Sequence, residues 1–501
     1  MMDLTLDRTS LKAALAELRL PGLAFINGRL TAADGGKTFA TVNPATGKKL
    51  GDVALCAEQD VNRAVAAARA AFEKGAWSRL APAERKKILL GYIDLLAAHA
   101  MEIALLDSLS AGKPIFDCVT IDMPDTLHCL RWHAELIDKL YDRVAPTDPK
   151  SVALIVREPL GVIGMLVPWN FPAQMAAWKI GPALAAGNSI VMKPARQTSL
   201  SAIRMAELAA EAGIPPGVFN VVTGEGPVVG QAIARHPDVD MVAFTGSTEV
   251  GRELLRYSAE SNLKRVILEL GGKSPQVVLE DAPDLALVAQ NAVNAAFWNM
   301  GENCSSGSRL LVHRSLKHEL VKKLIALVAA WKVGDPSDPD TRVGPLITPA
   351  HMKTVLSYID AGRAEGAKLV LGGRRILEET GGNFVEVTIF DEVKNSMKIA
   401  REEIFGPVLS VLPFDTEEEA IAIANDTPYG LAASLYTKDL GRAHRVARAL
   451  RAGTVSVNCY SEGDITTPFG GFKESGFFGR DKSVAAQEQY TELKTIWIQV
   501  G

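Results

Sequence analysis

Apolar residues recur at helical spacing over residues 11–20, which predicts an N-terminal helix. Phe25-Ile26-Asn27-Gly28-Arg29-Leu30 predicts a hairpin turning on Asn-Gly. Residues 61–72, 84–99 and 101–111 are amphipathic or rich in Ala and Leu, hence helical, and Gly112-Lys113-Pro114 stops the third. A fourth helix is expected over 122–141. After a Pro- and Asp-rich break at 145–150, residues 151–157 alternate like a strand and 161–167 form a buried one. Strand and helix patterns then alternate through 189–192, 200–211, 218–222, 241–244, 250–258 and 266–268. Strands spaced by helices of this length predict a parallel, doubly wound sheet. A second such series follows residue 270, through 274–278, a helix ending at Phe297, 309–313, 316–331, 368–371, 408–414, 417–425 and 432–436. The run 493–500 is strand-like, and an exposed sheet edge is its natural partner. No internal repeat and no low-complexity segment is visible.

Composition narrows the class. A chain of 501 residues with 48% hydrophobic content accommodates about three globular domains. The net charge of −4 and the lack of a dense Lys/Arg block argue against nucleic acid. Cys56, Cys118, Cys129, Cys304 and Cys459 show no CxxC spacing, which suggests a reducing compartment and no zinc site. The histidines form no metal-ligand pattern. Asp3, Asp7, Arg8, Lys12, Glu17 and Arg19 leave no apolar core for a signal peptide, and no later run reaches membrane-spanning length. A soluble, cytoplasmic protein with no membrane partner is the expectation.

The chemistry is concentrated in Asn299-Met300-Gly301-Glu302-Asn303-Cys304-Ser305-Ser306-Gly307-Ser308. An isolated free cysteine is usually a small buried hydrophobe. This one sits among Asn, Ser and Gly, whose N–H groups and hydroxyls can stabilise a thiolate. In Leu268-Glu269-Leu270-Gly271-Gly272-Lys273 a carboxylate is wedged between leucines, where desolvation raises its pKa toward that of a usable base. A nucleophilic thiol and a buried base are the parts of an acyl-enzyme mechanism.

These two segments, with Glu402-Glu403-Ile404-Phe405-Gly406-Pro407-Val408, resemble signatures of the NAD(P)-dependent aldehyde dehydrogenase superfamily, and the likeness runs from about Phe25 onward. The resemblance implies an α/β fold with doubly wound parallel sheets in a cofactor domain and a catalytic domain, plus a small β oligomerisation element. The cofactor domain would comprise 1–145 and 161–270, the catalytic domain 271–479, and the oligomerisation element 146–160 with the tail 480–501. A homodimer or homotetramer is implied.

By the same resemblance Cys304 is the nucleophile, Glu269 the base that activates water, and Asn170, in Pro168-Trp169-Asn170-Phe171-Pro172, an oxyanion donor. NAD is the implied cofactor. Ser247 and Gly246 belong to its phosphate turn, Phe244-Thr245-Gly246-Ser247-Thr248-Glu249-Val250-Gly251, with Trp169, Leu166, Val167, Phe244, Val250 and Leu270 beside it. Lys193 reaches the adenosine ribose, Gly226 and Gly230 line the adenine side, Glu403 holds the nicotinamide ribose and Phe405 packs at the ring. Arg196 departs from the pattern, standing where NAD-preferring members often carry a Glu. An Arg cannot accept ribose hydrogen bonds, so NADP is expected to be accepted beside NAD. Glu302 replaces a common Gln, and Gly476-Phe477-Phe478-Gly479-Arg480 is one residue longer than the usual turn.

The overall likeness is nearest to γ-glutamyl-γ-aminobutyraldehyde and guanidinobutyraldehyde dehydrogenases, so an ω-amino, γ-glutamylamino or guanidino aldehyde is the expected substrate. A broad-specificity enzyme for aliphatic or aromatic aldehydes is the alternative. CoA-acylating relatives typically lack the glutamate matching Glu269, which argues for water as acyl acceptor. Asp122 and Asp125 stand at i and i+3 on one face of the helix they begin, either complementing its dipole or flanking the tunnel mouth. Met175, Trp178 and Phe469 are the implied apolar substrate wall, and Glu462-Gly463-Asp464 would add to a negative field.

Overall fold

The computed structural model describes residues 6–500; Asp3, one of the N-terminal charges named above, lies outside them. Two α/β units are built from the two predicted series. In the first, Arg265–Glu269, Met241–Thr245, Val162–Leu166, Ser189–Lys193 and Phe219–Val221 lie side by side in that order, all parallel. Apart from Arg265 at the start of the first, these strands are buried from end to end, as strands covered by helices on both faces must be. The hairpin Ala24–Ile26/Arg29–Thr31 closes one edge antiparallel, turning on Asn27 and Gly28, both at positive φ. The two-residue strand Gly476–Phe477 closes the other, paired antiparallel with Leu268 and Glu269.

The second sheet runs Lys368–Leu371, Thr388–Asp391, Val408–Phe414, Arg309–His313, Pro275–Val278, Ala432–Tyr436, Thr454–Val457, parallel except for its first strand. Its core includes Val277, Leu310, Leu311, Phe390, Leu409, Leu412 and Leu435, packed under the helices Leu285–Phe297 and Arg314–Val328. A third sheet joins Arg143–Ala145, Ser151–Pro159 and Thr491–Gln499, the last pairing along its whole length with the middle strand. Thr491–Gln499 leaves Leu493 and Trp497 exposed at 69% and 60%.

Two helices differ from expectation in ways that matter for the site. The fourth does not begin at Asp122. It starts at Ile115, passes through a π turn at Cys118–Asp122 and continues as Met123–Leu136. Asp122 is therefore interior to a continuous helix. The helix Pro172–Ala186 is absent from the sequence pattern because nearly all of it is buried and it holds Gly181 and Pro182 inside, so no polar face marks its period. No single helix among the described residues is long and apolar enough to cross a membrane.

Candidate active site

The segment that carries Cys304 leaves the helix Leu285–Phe297 through three consecutive left-handed residues, Asn299 (φ 53°), Met300 (φ 57°) and Gly301 (φ 70°). A Cβ at Gly301 would meet the Gly406 carbonyl oxygen at 2.2 Å, so only glycine fits. The strained turn is held by the Asn299 side-chain amide, which donates to the Asn170 carbonyl (3.0 Å) and the Glu302 carbonyl (2.9 Å). Asn170 in turn donates from Nδ2 to the same Glu302 carbonyl at 2.9 Å. A primary amide has two N–H bonds, so one remains for another acceptor. Asn170, Met175, Leu270, Gly271, Cys304, Glu403 and Phe405 line one cavity of about 250 Å³.

The thiol does not sit in the thiolate-stabilising setting expected from its neighbours. Burial pushes Cys304 well above the ordinary thiol range, and Glu462, Glu403 and Glu269 push the same way, against the Ser305 backbone N–H alone. The polar neighbours spend their groups elsewhere: Asn303 Nδ2 donates to the Tyr460 hydroxyl (2.8 Å), and the Ser305 hydroxyl binds Tyr460 and the Glu462 carboxylate.

Glu269 is 4% exposed, and neither carboxylate oxygen has a hydrogen-bond partner among the described residues. Cβ atoms built at Gly470 and Gly479 fall 2.8 and 2.7 Å from its Oε1, so these two glycines make room for the carboxylate. Burial raises its pKa well above the usual carboxylate range; the charge of Asp481 adds to this, while Lys179 and Arg480 oppose it. Lys179 is ion-paired to Asp481 at 3.1 Å, both side chains buried. Because its pKa is raised, an ionised Glu269 is a stronger base than an ordinary carboxylate and can take a proton from water.

A larger cavity, about 610 Å³, adjoins the first through Pro168, Trp169, Thr245, Gly246 and Ser247. It is lined by Leu166, Val167, Trp169, Lys193, Arg196, Gly226, Gly230, Phe244, Gly246, Ser247 and Val250. The structure thus gathers every residue expected near the cofactor around these two cavities. The helix Thr248–Ala259 starts here, with Ser247 as its cap accepting from the Val250 N–H, so its unpaired N–H groups can meet an anion. Lys193 is 8% exposed, its ammonium donates to the Pro194 carbonyl (2.9 Å), and burial brings its pKa down to about 8. A buried ammonium with so little compensation fits a ligand bearing hydroxyl or phosphate oxygens. Glu403 Oε1 accepts from the Gly272 N–H (2.9 Å), and burial raises its carboxyl to about 7. Phe405, at φ 56°, meets Trp169 edge-on with ring centroids 5.3 Å apart. These groups fit a dinucleotide. Arg196 lies 4.9 Å over the Phe39 ring and pairs with Glu225 at 3.1 Å, both half-exposed at the cavity wall. A carboxylate is therefore present near the position where the sequence lacks one.

On the other side, Met175, Trp178 and Phe469 join Phe171 and Ile465 in one apolar cluster against which Trp298 and Cys304 pack. Asp125 Oδ2 accepts from both Gln174 Nε2 and Trp178 Nε1 at 2.8 Å, which places its charge on this wall. Asp122 is not there. Its side chain is 3% exposed and ion-paired at 2.7 Å with fully buried Lys113, since the π turn rotates it into the core. The tunnel-mouth expectation for Asp122 is overturned by that burial. Lys482, whose ammonium lies 4.3 Å from the Trp178 ring centroid, was not foreseen; nor were Lys179, Asp481 and Tyr460. Motif spacing gave no signal for Lys179 and Asp481, which lie 302 residues apart.

The family model of the aldehyde dehydrogenase family matches residues 30–496. The chain is 57% identical to an aminoacetaldehyde dehydrogenase of Pseudomonas aeruginosa over 99% of both chains. It is 49% identical to the NADP/NAD-dependent aldehyde dehydrogenase PuuC of Escherichia coli K12, over 96% of this chain and 97% of that one. The crystal structure of a γ-glutamyl-γ-aminobutyraldehyde dehydrogenase from Burkholderia cenocepacia J2315 superposes with a TM-score of 0.97 at 54% identity, covering 99% of this chain and 100% of that one.

Proposed function

The chain belongs to the aldehyde dehydrogenase family, and from that premise we propose that it oxidises an amino-substituted aldehyde to its acid with NAD, accepting NADP as well. The observation that carries this reading is the placement of Cys304 and Asn170 on one cavity with Glu269 in the protein interior nearby. The Cys304 thiol gives up its proton to solvent, the sulfur adds to the carbonyl carbon, and the oxygen that becomes negative is held by the free N–H of Asn170 with the Cys304 backbone N–H as second donor. When bound, the nicotinamide supplies the hydride acceptor that turns this adduct into a thioester. Lys193, Ser247 and Glu403 would hold the cofactor. Glu269 then takes a proton from water, hydroxide attacks the thioester carbon, and the acid leaves as the thiol re-forms.

Relatives acting on aminoacetaldehyde and γ-glutamyl-γ-aminobutyraldehyde support the amino substituent, as does the negative charge of Asp125 on the substrate wall. Glu225, paired with Arg196, supports dual cofactor use, as does the dual dependence of the Escherichia coli relative. The apolar outer face of Thr491–Gln499 suits a second copy of the chain, in a homodimer or homotetramer of the cytoplasm. The test is an aldehyde panel without CoA. Cys304→Ala should abolish oxidation of every aldehyde, and Glu269→Gln should leave a burst of reduced cofactor followed by slow turnover. An active Cys304→Ala enzyme would overturn the assignment.

A further inference from the structure

A third cavity, of about 460 Å³, shares no lining residue with the two described above. Phe116, Trp298, Trp331 and Tyr460 supply aromatic walls, and Asp117 and Arg342 supply opposite charges. Its size and mixture of apolar wall with few polar groups are those of a small-molecule site. Two of its walls lead directly to the nucleophile. Trp298 packs against the apolar cluster that Cys304 also joins, and the Tyr460 hydroxyl bonds to Asn303 and Ser305, the residues on either side of Cys304.

Arg342 stacks its guanidinium 3.8 Å from the Phe116 ring centroid, and its Nη1 is buried without a hydrogen-bond partner among the described residues. A guanidinium fixed in its plane on a cavity wall is a receptor for a carboxylate. Asp117 is 7% exposed; burial raises its carboxyl to about 7, with the charges of Lys113 and Arg342 opposing the rise. A simple anion would face Asp117, and a simple cation would leave Arg342 unmatched. A zwitterion satisfies both.

We propose that this cavity is a subsite for the α-amino-acid head of the substrate, its carboxylate on Arg342 and its ammonium on Asp117. This rests on the reading of the enzyme as an aminoaldehyde dehydrogenase and selects among its substrates the one with a γ-glutamyl end. The aldehyde end then lies toward Cys304, past Trp298 and Tyr460.

The experiment compares 4-aminobutyraldehyde, its N-γ-glutamyl derivative and hexanal, with the wild type, Arg342→Met, Arg342→Lys and Asp117→Asn. Loss of a charge-assisted contact should raise KM for the γ-glutamyl aldehyde roughly tenfold or more in Arg342→Met. Arg342→Lys should fall between, and kcat and all hexanal kinetics should stay unchanged. An equal loss for all three aldehydes, or none for the γ-glutamyl one, overturns the subsite. A second arm uses the unreactive γ-glutamylbutylamide as inhibitor of hexanal oxidation, with N-acetylbutylamine as control. The amide should inhibit the wild type competitively and Arg342→Met at least tenfold less, the control neither. Arg342-dependent inhibition without oxidation of any aminoaldehyde keeps the subsite and sinks the broader reading. Oxidation of aminoaldehydes without such inhibition sinks the subsite alone.

Discussion

Replacing Asp122 by Asn should destabilise the protein without touching substrate choice. Asp122 and Lys113 form an ion pair of 2.7 Å with side chains 3% and 0% exposed. At an effective dielectric of about 20 the attraction is roughly 6 kcal/mol. Desolvation of the two ions, several kcal/mol each, cancels most of it, so the intact pair adds little net stability. Breaking it is another matter. A lone buried charge is left behind, which costs roughly 3–5 kcal/mol. Lys113 keeps two consolations: its ammonium lies 3.6 Å from the Phe171 ring centroid, and Asp117 is near enough to feel its charge. The loss for Asp122→Asn should therefore lie at the lower end, about 3 kcal/mol. Lys113→Met takes the nearby cation from Asp107 and Asp122 and leaves Asp117 with the charge of Arg342 alone. Burial already raises Asp107 and Asp117 to about 7, so the folded state holds their protons more tightly than the unfolded chain. That variant should lose stability as pH rises through 7 and recover as it falls. Pairing Lys113→Met with Asp122→Leu should cost less than the two changes summed. Urea unfolding followed by Trp fluorescence supplies the stabilities, and parallel kinetics on 4-aminobutyraldehyde and hexanal supply the control. Unchanged stability with a KM increase confined to the cationic aldehyde would return Asp122 to the substrate site and refute this reasoning.

Asn170→Ala should cost about 10²–10³ in kcat with little change in cofactor affinity, since one oxyanion donor is lost; an effect on KM alone would remove Asn170 from that role. Glu225→Gln frees Arg196 from its partner and should raise the NADP/NAD ratio of kcat/KM, while Arg196→Glu should lower it; ratios that do not move would place the pair away from the ribose. Asp125→Asn should raise KM for aminoaldehydes several-fold and spare hexanal, by loss of a charge worth roughly 1–2 kcal/mol, and equal effects would make Asp125 only a tether for Trp178. Burial lowers His133 to about 4, so the unfolded chain takes its proton first as pH falls. Stability from this group is full above about 6.5 and declines toward pH 4, by about 3 kcal/mol in total, and denaturant midpoints of His133→Gln should lack that slope.

What was legible in the sequence was local. The Ser247 helix start, the Cys304 loop and the Glu269 strand end depend on short stretches of backbone, so their residues announce themselves in order. The alternation that predicts two parallel sheets is likewise a neighbour-scale signal, and both sheets form where it lies. The helix Pro172–Ala186 escaped because a helix buried on every side has no amphipathic period. Asp122 was misplaced because a π turn shifts the helical phase by a fraction of a turn, invisible to i, i+3 counting. The electrostatics of Cys304 depend on Glu462 and Glu403, brought in from distant segments, and so could not follow from its own polar neighbours.

One consequence of the Gly476–Phe477 edge strand concerns the order in which the enzyme is made. That strand flanks Glu269, Asp481 follows it to meet Lys179, and the same segment runs on to pair with Ser151–Pro159. A nascent chain that has emerged only as far as Gly470 already carries Cys304, Asn170 and every residue that lines the two adjoining cavities. It still lacks the neighbours that tune the base. The surroundings of Glu269 are thus complete only once the C-terminal segment has docked, which makes that segment the last part of the site to be assembled.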